Sequence, residues 1–356
     1  MQDGADDRLR NDDLSELLLH ASSQEEGHRR LALERAAKAA WTWEEEAADL
    51  AGSGRPLTEL RAVGPWVGDL IHGWLAERPD VPEPDETRRG FLTTAEVRAV
   101  LGADPSWVAT PHGDLQVHST DSDGALALEE MAGAAAQLGR TYIACTDHSA
   151  SLKVAHGMTR AEVEDQRRRI DARNAASSAS GSSFRILRSM EMDVFVDGSG
   201  DTEPDVLDGL DLVLGAFHTK LRDPDDATER YLAALANPTV HVLAHPTTRM
   251  FGRRRGLIAE WPRVFAEAAR LGRAIELDAT PRRQDLSVEL ARIAAAEGVR
   301  WFSMGSDAHD AQELRHLPIA MATAALAGIP RERILNYLPA SQVVEWAAAV
   351  TAGELA

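Results

Sequence analysis

The chain has 356 residues, of which 44% are hydrophobic and 27% are charged, the balance of a globular protein with a sizeable core. Its 38 Lys and Arg against 57 Asp and Glu give a net charge of −19, which excludes nucleic-acid binding through a broad positive face. The single cysteine, Cys145, excludes an intramolecular disulfide and a cysteine-rich zinc cluster. No apolar stretch has the length of a signal peptide or a membrane span, so we expect a soluble cytoplasmic protein without a membrane partner.

The residues from Asp12 to about Asp80 have the spacing of amphipathic helices. Leu14, Leu17 and Leu18 fall at positions i, i+3 and i+4, which is one face of a helix. The proline- and acid-containing segment Val81 to Glu86 follows and predicts a linker. We therefore interpret residues 1–80 as a small all-α domain, 81–110 as a linker and 111–356 as a second domain.

From Gly113 onward, short apolar segments alternate with helical ones. Seven segments are predicted as strands: Asp114–Ser119, Tyr142–Thr146, Arg185–Val194, Leu212–Phe217, Val240–Ala244, Ala274–Leu277 and Trp301–Met304. The predicted helices between them include Leu126–Leu138, Arg160–Asn174, Thr228–Ala236, Ile258–Leu271 and Ser287–Glu297. This alternation predicts an α/β fold, a parallel sheet closed or nearly closed into a barrel. A doubly wound open sheet has the same alternation and is the alternative.

Histidines and carboxylates stand at the ends of six of these seven strands. The candidate metal ligands are His118, Asp123, His148, Glu191, His218, His245, Asp307 and His309. In parallel α/β barrels the loops that follow the strands meet at one face, so we expect these side chains to converge. Imidazoles and carboxylates without thiols suit Zn²⁺, Mn²⁺ or Fe²⁺. The pattern therefore predicts a centre that can hold more than one metal ion.

As a set, these motifs resemble the polymerase and histidinol phosphatase (PHP) domain, a family of metal-dependent phosphoesterases. The resemblance covers residues 113 to about 328 and is carried by DLQVHSTDSDG, TDHS, SMEMD, FH, AHP and SDAH. The helical N-terminal region and the loops AHPTTRMFGRRRG and ATPRRQDLS resemble the PHP domain of bacterial family-X DNA polymerases in particular. The resemblance implies a distorted seven-stranded (β/α)7 TIM-like barrel beside a small all-α domain.

The resemblance also implies three divalent metal ions. One ion would be held by His118, Glu191 and Asp307. The second would be held by His218 and His245, with Glu191 as a bridge between the two ions. The third would be held by Asp123, His148 and His309. Gln116 stands where many PHP domains have the first histidine of a His-x-His motif. Because a carboxamide oxygen is a weak ligand, we expect occupancy of the first site to depend on the metal supplied.

Such a centre predicts hydrolysis by a metal-activated water, with the ions stabilising the negative charge that develops. The candidate catalytic residues are Glu191, Asp307, His309 and Asp147. Of these, His309 is the candidate acid for the leaving group. Asp147 precedes His148, and we interpret it either as a carboxylate that fixes the turn or as one that orients His148.

Cationic side chains on the loops after three strands are candidates for binding the substrate's phosphate. They are Lys220, Arg249, Arg253 and Arg282, with Arg249 the strongest candidate. The alternative for the FGRRRG segment is a solvated run of charges.

Residues 60–71 resemble a helix–hairpin–helix motif. Val63, Gly64, Pro65 and Gly68 would direct backbone amides at a DNA phosphate without reading the base sequence, although Gly-Pro also begins many ordinary helices. The lyase lysine of the related polymerase domain is absent, since Leu70 and Trp66 occupy the matching positions. Only about 40 residues separate the hairpin from the PHP-like region, too few for a polymerase palm of ordinary domain size.

The leading hypothesis is therefore a metal-dependent phosphoesterase that acts on DNA as a 3′–5′ exonuclease or a 3′-end-processing phosphatase. One alternative is a small-molecule phosphomonoesterase of the histidinol-phosphatase type. Another is a catalytically silent DNA-binding module. The expected partners are accordingly DNA or a small phosphate ester, and the sequence leaves the oligomeric state open.

Overall fold

The computed structural model describes residues 8–110 and 112–355, so the first seven residues of the predicted N-terminal domain lie outside the described part. The chain divides into two compact units, Met1–Asp104 and Pro105–Ala356. No helix of the described residues is both long and apolar enough to cross a membrane.

The first unit is all-α, as predicted. Its helices are α1 (Asn11–Ser22), α2 (Gly27–Ala40), α3 (Ala47–Gly52), α4 (Pro65–Glu77) and α5 (Thr94–Ala103). The apolar face predicted from the leucine spacing is buried, with Leu14 and Leu18 fully inaccessible to solvent. These leucines pack with Leu33 and Ile71 in one hydrophobic core, so the helices stabilise each other through apolar burial.

The segment 81–110, which we interpreted as a linker, contains regular structure. Helix α5 begins at a capping box, in which Thr93 and Glu96 each accept a hydrogen bond from the other's backbone amide. The short helix α6 (Ser106–Ala109) follows, and the boundary between the two units falls between these helices. The proline-rich stretch before them gave no sign of either helix.

The second unit is a seven-stranded parallel barrel. The strands are β1 (Asp114–Val117), β2 (Tyr142–Cys145), β3 (Arg185–Asp193), β4 (Leu212–Ala216), β5 (Val242–Leu243), β6 (Ala274–Asp278) and β7 (Trp301–Gly305). The helices are α6, α7 (Leu128–Gln137), α8 (Arg160–Ala179), α9 (Pro204–Leu207), α10 (Thr228–Ala236), α11 (Trp261–Arg270), α12 (Val288–Ala296), α13 (Pro318–Ala327) and α14 (Ala340–Thr351). Each strand pairs with the next in chain order.

The two edges of the sheet meet, which excludes the open-sheet alternative. Val117 and Ala308 form a parallel bridge, and the His118 amide donates to the Ala308 carbonyl over 2.9 Å. The buried Asn336 side chain joins the same edges by donating to the carbonyl oxygens of Gly113 and Met304. The predicted nearly closed barrel is thus confirmed.

Helix α14 covers the end of the barrel where the strands begin. Its Val343 and Trp346 pack with Tyr142 and Leu212, the first residues of β2 and β4, in one apolar cluster. Because this end is filled by apolar side chains, polar chemistry is confined to the opposite end, where the strands finish.

Candidate metal centre

The predicted ligands lie together at the end of the barrel where the strands finish. Seven of the eight fall in three groups whose ligand atoms lie within 4.8 Å of one another: His118, Asp123, His148 and His309; His148, Glu191 and His218; His118, Glu191 and Asp307. The eighth, His245, places its Nε2 at 2.9 Å from Glu191 Oε1. Residues spread over nearly two hundred positions therefore share one pocket.

Glu191 lies at the middle of the cluster and is 1% exposed. Its Oε1 is 3.0 Å from His218 Nε2 and 2.9 Å from His245 Nε2. Its Oε2 is 3.4 Å from His118 Nε2, which in turn is 3.1 Å from Asp307 Oδ1. A carboxylate with a different set of imidazoles at each oxygen has the arrangement expected of a bridging ligand.

The group predicted to hold the third ion gathers around Asp123. Its Oδ1 lies 3.4 Å from His309 Nε2 and 3.6 Å from His148 Nε2. The His118 ring stacks against both of these imidazoles, at centroid distances of 4.4 Å from His309 and 4.6 Å from His148. His148 also lies near Glu191, with its Nδ1 3.9 Å from Glu191 Oε2. It therefore connects the group predicted for the third ion with the group predicted for the second.

The donor atoms fit divalent metal ions. Both ring nitrogens of His118, Nδ1 of His148 and Nδ1 of His245 are buried and make no hydrogen bond of ordinary geometry within the described part of the chain. Buried polar atoms are rarely left without partners unless a ligand satisfies them. Imidazole and carboxylate donors without thiols suit Zn²⁺, Mn²⁺ and Fe²⁺. The residues present thus form a centre for several ions.

Charge in the cluster favours ionised carboxylates. Burial raises the pKa of Glu191, but the surrounding imidazoles, including those of His118 and His218 beside its oxygens, outweigh burial and hold this pKa well below its usual range. Burial also opposes ionisation of Asp307, yet the guanidinium of Arg283 lowers its pKa. Conversely, burial and the neighbouring imidazoles lower the pKa of His148 to about 4. A neutral imidazole and charged carboxylates are the forms that bind metals.

The backbone is strained where two ligands leave their strands. His245 has φ 28° and Asp307 has φ 50°, both in the left-handed region that side chains other than glycine rarely adopt. Gly124 is required for a different reason: its backbone lies so close to that of His118 that a Cβ there would be 2.8 Å from the His118 carbonyl oxygen. Such strain persists where surrounding contacts enforce it, and it is concentrated at functional sites.

Asp147 supports the loop between His118 and Asp123 and is 0% exposed. It accepts hydrogen bonds from the amide and hydroxyl of Ser119, at 2.8 and 2.7 Å, and from Gln166 Nε2 on α8 at 2.7 Å. Within the described residues it also accepts from Ser122 Oγ in the same loop and from Cys145 Sγ on β2, and it bonds to no imidazole of the cluster. These contacts favour the interpretation that Asp147 fixes the turn over the one that orients His148.

The surroundings of Arg249 favour a structural role over the substrate contact that we predicted. Arg249 is 7% exposed and its Nε donates to the backbone oxygen of Arg283 over 2.8 Å. Burial lowers its pKa to about 10. Arg249 therefore holds the loop that carries Arg283. Arg253, Arg282 and Lys220 are exposed on the loops where they were predicted.

Arg283, which the sequence places with Arg282 on the loop after the sixth strand, lies beside the cluster. Its Nη1 lies 3.7 Å from Asp307 Oδ2 and its Nε 3.9 Å from Asp278 Oδ2. These separations are too long for hydrogen bonds, and a quarter of the side chain is exposed. The guanidinium thus faces the centre with donors available for a ligand's oxygen atoms.

Sequence reasoning missed three acids behind the ligands. Asp193 Oδ1 lies 3.4 Å from His218 Nδ1, and this contact with that of Glu191 raises the pKa of His218 to about 9 against the opposing effect of burial. Glu276 and Asp278 are buried on β6, and burial raises both pKa values, together with the charge of Asp278 for Glu276 and that of Asp307 for Asp278. The two-residue spacing from Glu191 to Asp193 was a signal that both face one side of the strand.

In the first unit, the residues predicted to contact DNA lie at the start of α4. Gly64 is the N-cap and Pro65 the first helical residue, while Val63 and Gly68 are buried. The turn before them contains Ala62 in the left-handed region, with φ 65°. The tight turn and the exposed helix start are compatible with a helix–hairpin–helix, and the motif remains a prediction.

The seven-stranded barrel with ligand groups at one end has the fold that the resemblance to the PHP domain implies. No protein-family model matches the chain. Among curated proteins, the chain is 37% identical over 225 residues to the DNA polymerase/3′-5′ exonuclease PolX of Bacillus subtilis. That match covers 63% of this chain and 39% of the relative. The chain is thus related to only part of that protein.

More distant relatives are named as phosphatases. The chain is 29% identical over 163 residues to a protein named "Probable phosphatase" in Yersinia pestis, a match that covers 43% of this chain and 64% of that protein. A solved histidinol phosphate phosphatase of Lactococcus lactis, in complex with zinc, L-histidinol and phosphate, is 14% identical with a TM-score of 0.41. It covers 59% of this chain and 92% of the solved chain.

Proposed function

We propose that this protein is a metal-dependent phosphoesterase that hydrolyses DNA from the 3′ end. The observation that carries the proposal is the convergence of His118, Glu191, Asp307 and their neighbours into three overlapping ligand groups, two of which share Glu191. The 37% identity to a DNA polymerase/3′-5′ exonuclease supports DNA as the substrate. We propose three divalent ions in the groups predicted from the sequence, with His148 close enough to assist at the second.

Divalent ions bound by these side chains would polarise the phosphate ester and activate the attacking water. The chain itself positions the substrate. The planar guanidinium of Arg283 presents paired donors that match two phosphate oxygens, and its place beside Asp307 aligns the ester with the centre. Among the clustered imidazoles, His309 is the most exposed, at 33%, and as a ligand of the third ion it would hold that ion where its charge can stabilise the leaving oxygen. Its Nδ1 is fixed by the Asp307 carbonyl at 2.9 Å.

Glu191→Gln and His148→Ala test the catalytic part of the proposal. Purified protein with Mn²⁺ or Zn²⁺ receives a 3′-labelled oligonucleotide, and mononucleotide release is measured. Both changes should abolish release while leaving the far-UV circular dichroism unchanged, with Glu191→Gln the larger loss because its carboxylate serves two groups. The matched control is His156→Ala, which removes an exposed imidazole on the loop after His148. Retained hydrolysis in Glu191→Gln would contradict the ligand assignment.

A small-molecule phosphomonoesterase is the second candidate, and the relationship to the Yersinia "Probable phosphatase" proteins favours it. The same assay separates the candidates when phosphomonoesters are supplied beside the oligonucleotide. Orthophosphate release from small esters without mononucleotide release would replace the DNA proposal by this one. No turnover with any metal would leave the catalytically silent DNA-binding module.

The proposed DNA contact of the first unit is tested without truncation. A side chain at Gly64 would meet no atom within 4 Å, so Gly64→Glu places a carboxylate at the start of α4 without a clash. We expect weaker oligonucleotide binding, because the new charge repels the phosphate that the helix start would hold. Gly52→Glu adds the same charge at another open position and is the control. Equal DNA affinity of the two variants would remove the hairpin from the proposal.

A further inference from the structure

We propose that Gln116 is a positioning residue of the metal centre, which holds Glu191 through a hydrogen bond and does not ligate a metal. Gln116 lies on β1, two residues before His118, and is 0% exposed. Residues two apart on a strand face the same side, so both side chains point toward the centre. The inference rests on the proposed metal centre, and it gives a role to the residue that departs from the His-x-His pattern.

The donor end of the Gln116 amide is directed at one oxygen of Glu191. Nε2 donates to Glu191 Oε2 over 2.8 Å. This oxygen faces His118, whereas Oε1 faces His218 and His245. The bond therefore fixes the rotation of the carboxylate, so that each oxygen keeps its own set of imidazoles. A freely rotating carboxylate would not hold two groups at once.

The acceptor end of the amide is turned toward β6 and β7. A Cβ placed on Gly305 would lie 2.9 Å from Gln116 Oε1 and 2.4 Å from Glu276 Oε1. The amide oxygen thus occupies the space that glycine leaves beside these strands, where it makes no hydrogen bond of ordinary geometry within the described residues. The reverse orientation of the amide would bring its oxygen to 2.8 Å from Glu191 Oε2, where two acceptors would face each other. The hydrogen-bond pattern consequently selects the donor for Glu191.

Carboxylate ligands are commonly held by such outer partners, whose loss weakens metal binding by about 10- to 100-fold. Gln116→Met keeps the length of the side chain and removes both amide atoms. Gln116→Glu keeps an oxygen in place and replaces the N–H donor by an acceptor. The two variants therefore separate the role of the nitrogen from that of the oxygen.

The experiment titrates Co²⁺ into metal-free wild-type and variant proteins and records the visible absorption. For a positioning role, Gln116→Met lowers the Co²⁺ affinity by about 10- to 100-fold. The band positions and intensities at saturation stay those of wild type, because the donor atoms on the metal are the same. Gln116→Glu does not restore the affinity. Far-UV circular dichroism establishes that each variant is folded, and Gln116→Glu carries the test alone if Gln116→Met does not fold.

Two results would overturn the inference. Altered absorption bands of saturated Gln116→Met would mean that the metal has lost a ligand. A Co²⁺ affinity of Gln116→Glu equal to or above that of wild type would mean that the oxygen is the group required. Failure of the wild type itself to bind Co²⁺ would instead contradict the proposed metal centre, so the two failures are distinguishable.

Discussion

Removal of the Asp147 carboxylate should unfold the loop that carries Asp123 and destabilise the barrel strongly. In the Asp147→Ala variant, the Ser119 amide and the hydroxyls of Ser119 and Ser122 lose a common acceptor at a fully buried position, whereas Gln166 Nε2 keeps Asp121 Oδ2 as an acceptor at 2.9 Å. A buried donor left without a partner costs about 1–3 kcal/mol. Three donors, with partial relaxation of the loop, lower the free energy of unfolding by about 3–6 kcal/mol.

The assay is urea unfolding in the presence of a chelator, followed by far-UV circular dichroism. Asp123→Ala is the matched control, because this carboxylate is 30% exposed and its loss leaves no buried donor unpaired. We expect the control to change the free energy of unfolding by less than about 1 kcal/mol while it weakens metal binding. A similar small change in Asp147→Ala would refute the reasoning and return Asp147 to the candidate catalytic residues.

Three further predictions concern other parts of the chain. Arg283→Met should raise KM for a phosphate substrate at least about tenfold with little change in stability, since a phosphate hydrogen bond contributes about 1.5–3 kcal/mol. Arg249→Met should instead lower the urea midpoint of unfolding. A raised KM in Arg249→Met with a lowered midpoint in Arg283→Met would make Arg249 the substrate-binding residue. Burial lowers the pKa of His241 to about 4, and its Nδ1 accepts the Val213 amide. Between pH 6.5 and 4 the unfolded state takes up a proton that the folded state does not, so stability falls by about 3 kcal/mol; an equal fall in His241→Gln would contradict this. Ala62→Gly should raise the melting temperature, because glycine adopts positive φ without a Cβ clash, and a lower value would argue against strain.

The barrel was predictable because each strand satisfies a simple physical condition. A parallel strand buried on both faces is a short apolar segment, and the seven segments recognised this way match the observed strands within two residues at each end. Helix α14 was not predicted, since its sequence is rich in alanine and its role is to cover strand starts distant in sequence. Closure by Asn336 likewise depends on a single amide that no periodicity marks.

The ligand cluster was predictable for a topological reason. Parallel strands bring all their carboxyl ends to one edge, so histidines and carboxylates at the ends of six of the seven strands imply proximity without any knowledge of distances. The choice between Arg249 and Arg283 could not be made in this way. Both arginines lie on loops at the same end of the barrel. They are distinguished only by packing, because the Arg249 guanidinium is buried against the backbone of Arg283, whereas the Arg283 guanidinium faces the centre.

The net charge of the chain suggests that it would repel a phosphate substrate, but the charge at the centre is set locally. The acids of the centre, Glu191, Asp123 and Asp307, contribute to the total of −19, yet their buried or half-buried oxygens converge where cations would bind. A bound divalent ion is the largest local charge in such a site and reverses the potential that the side chains alone would produce. With Arg283 on the same face, the surface that would meet a phosphate is then cationic in a chain that is acidic overall. A phosphate substrate therefore requires the metals to enter the pocket at all, which makes binding and catalysis by this centre inseparable.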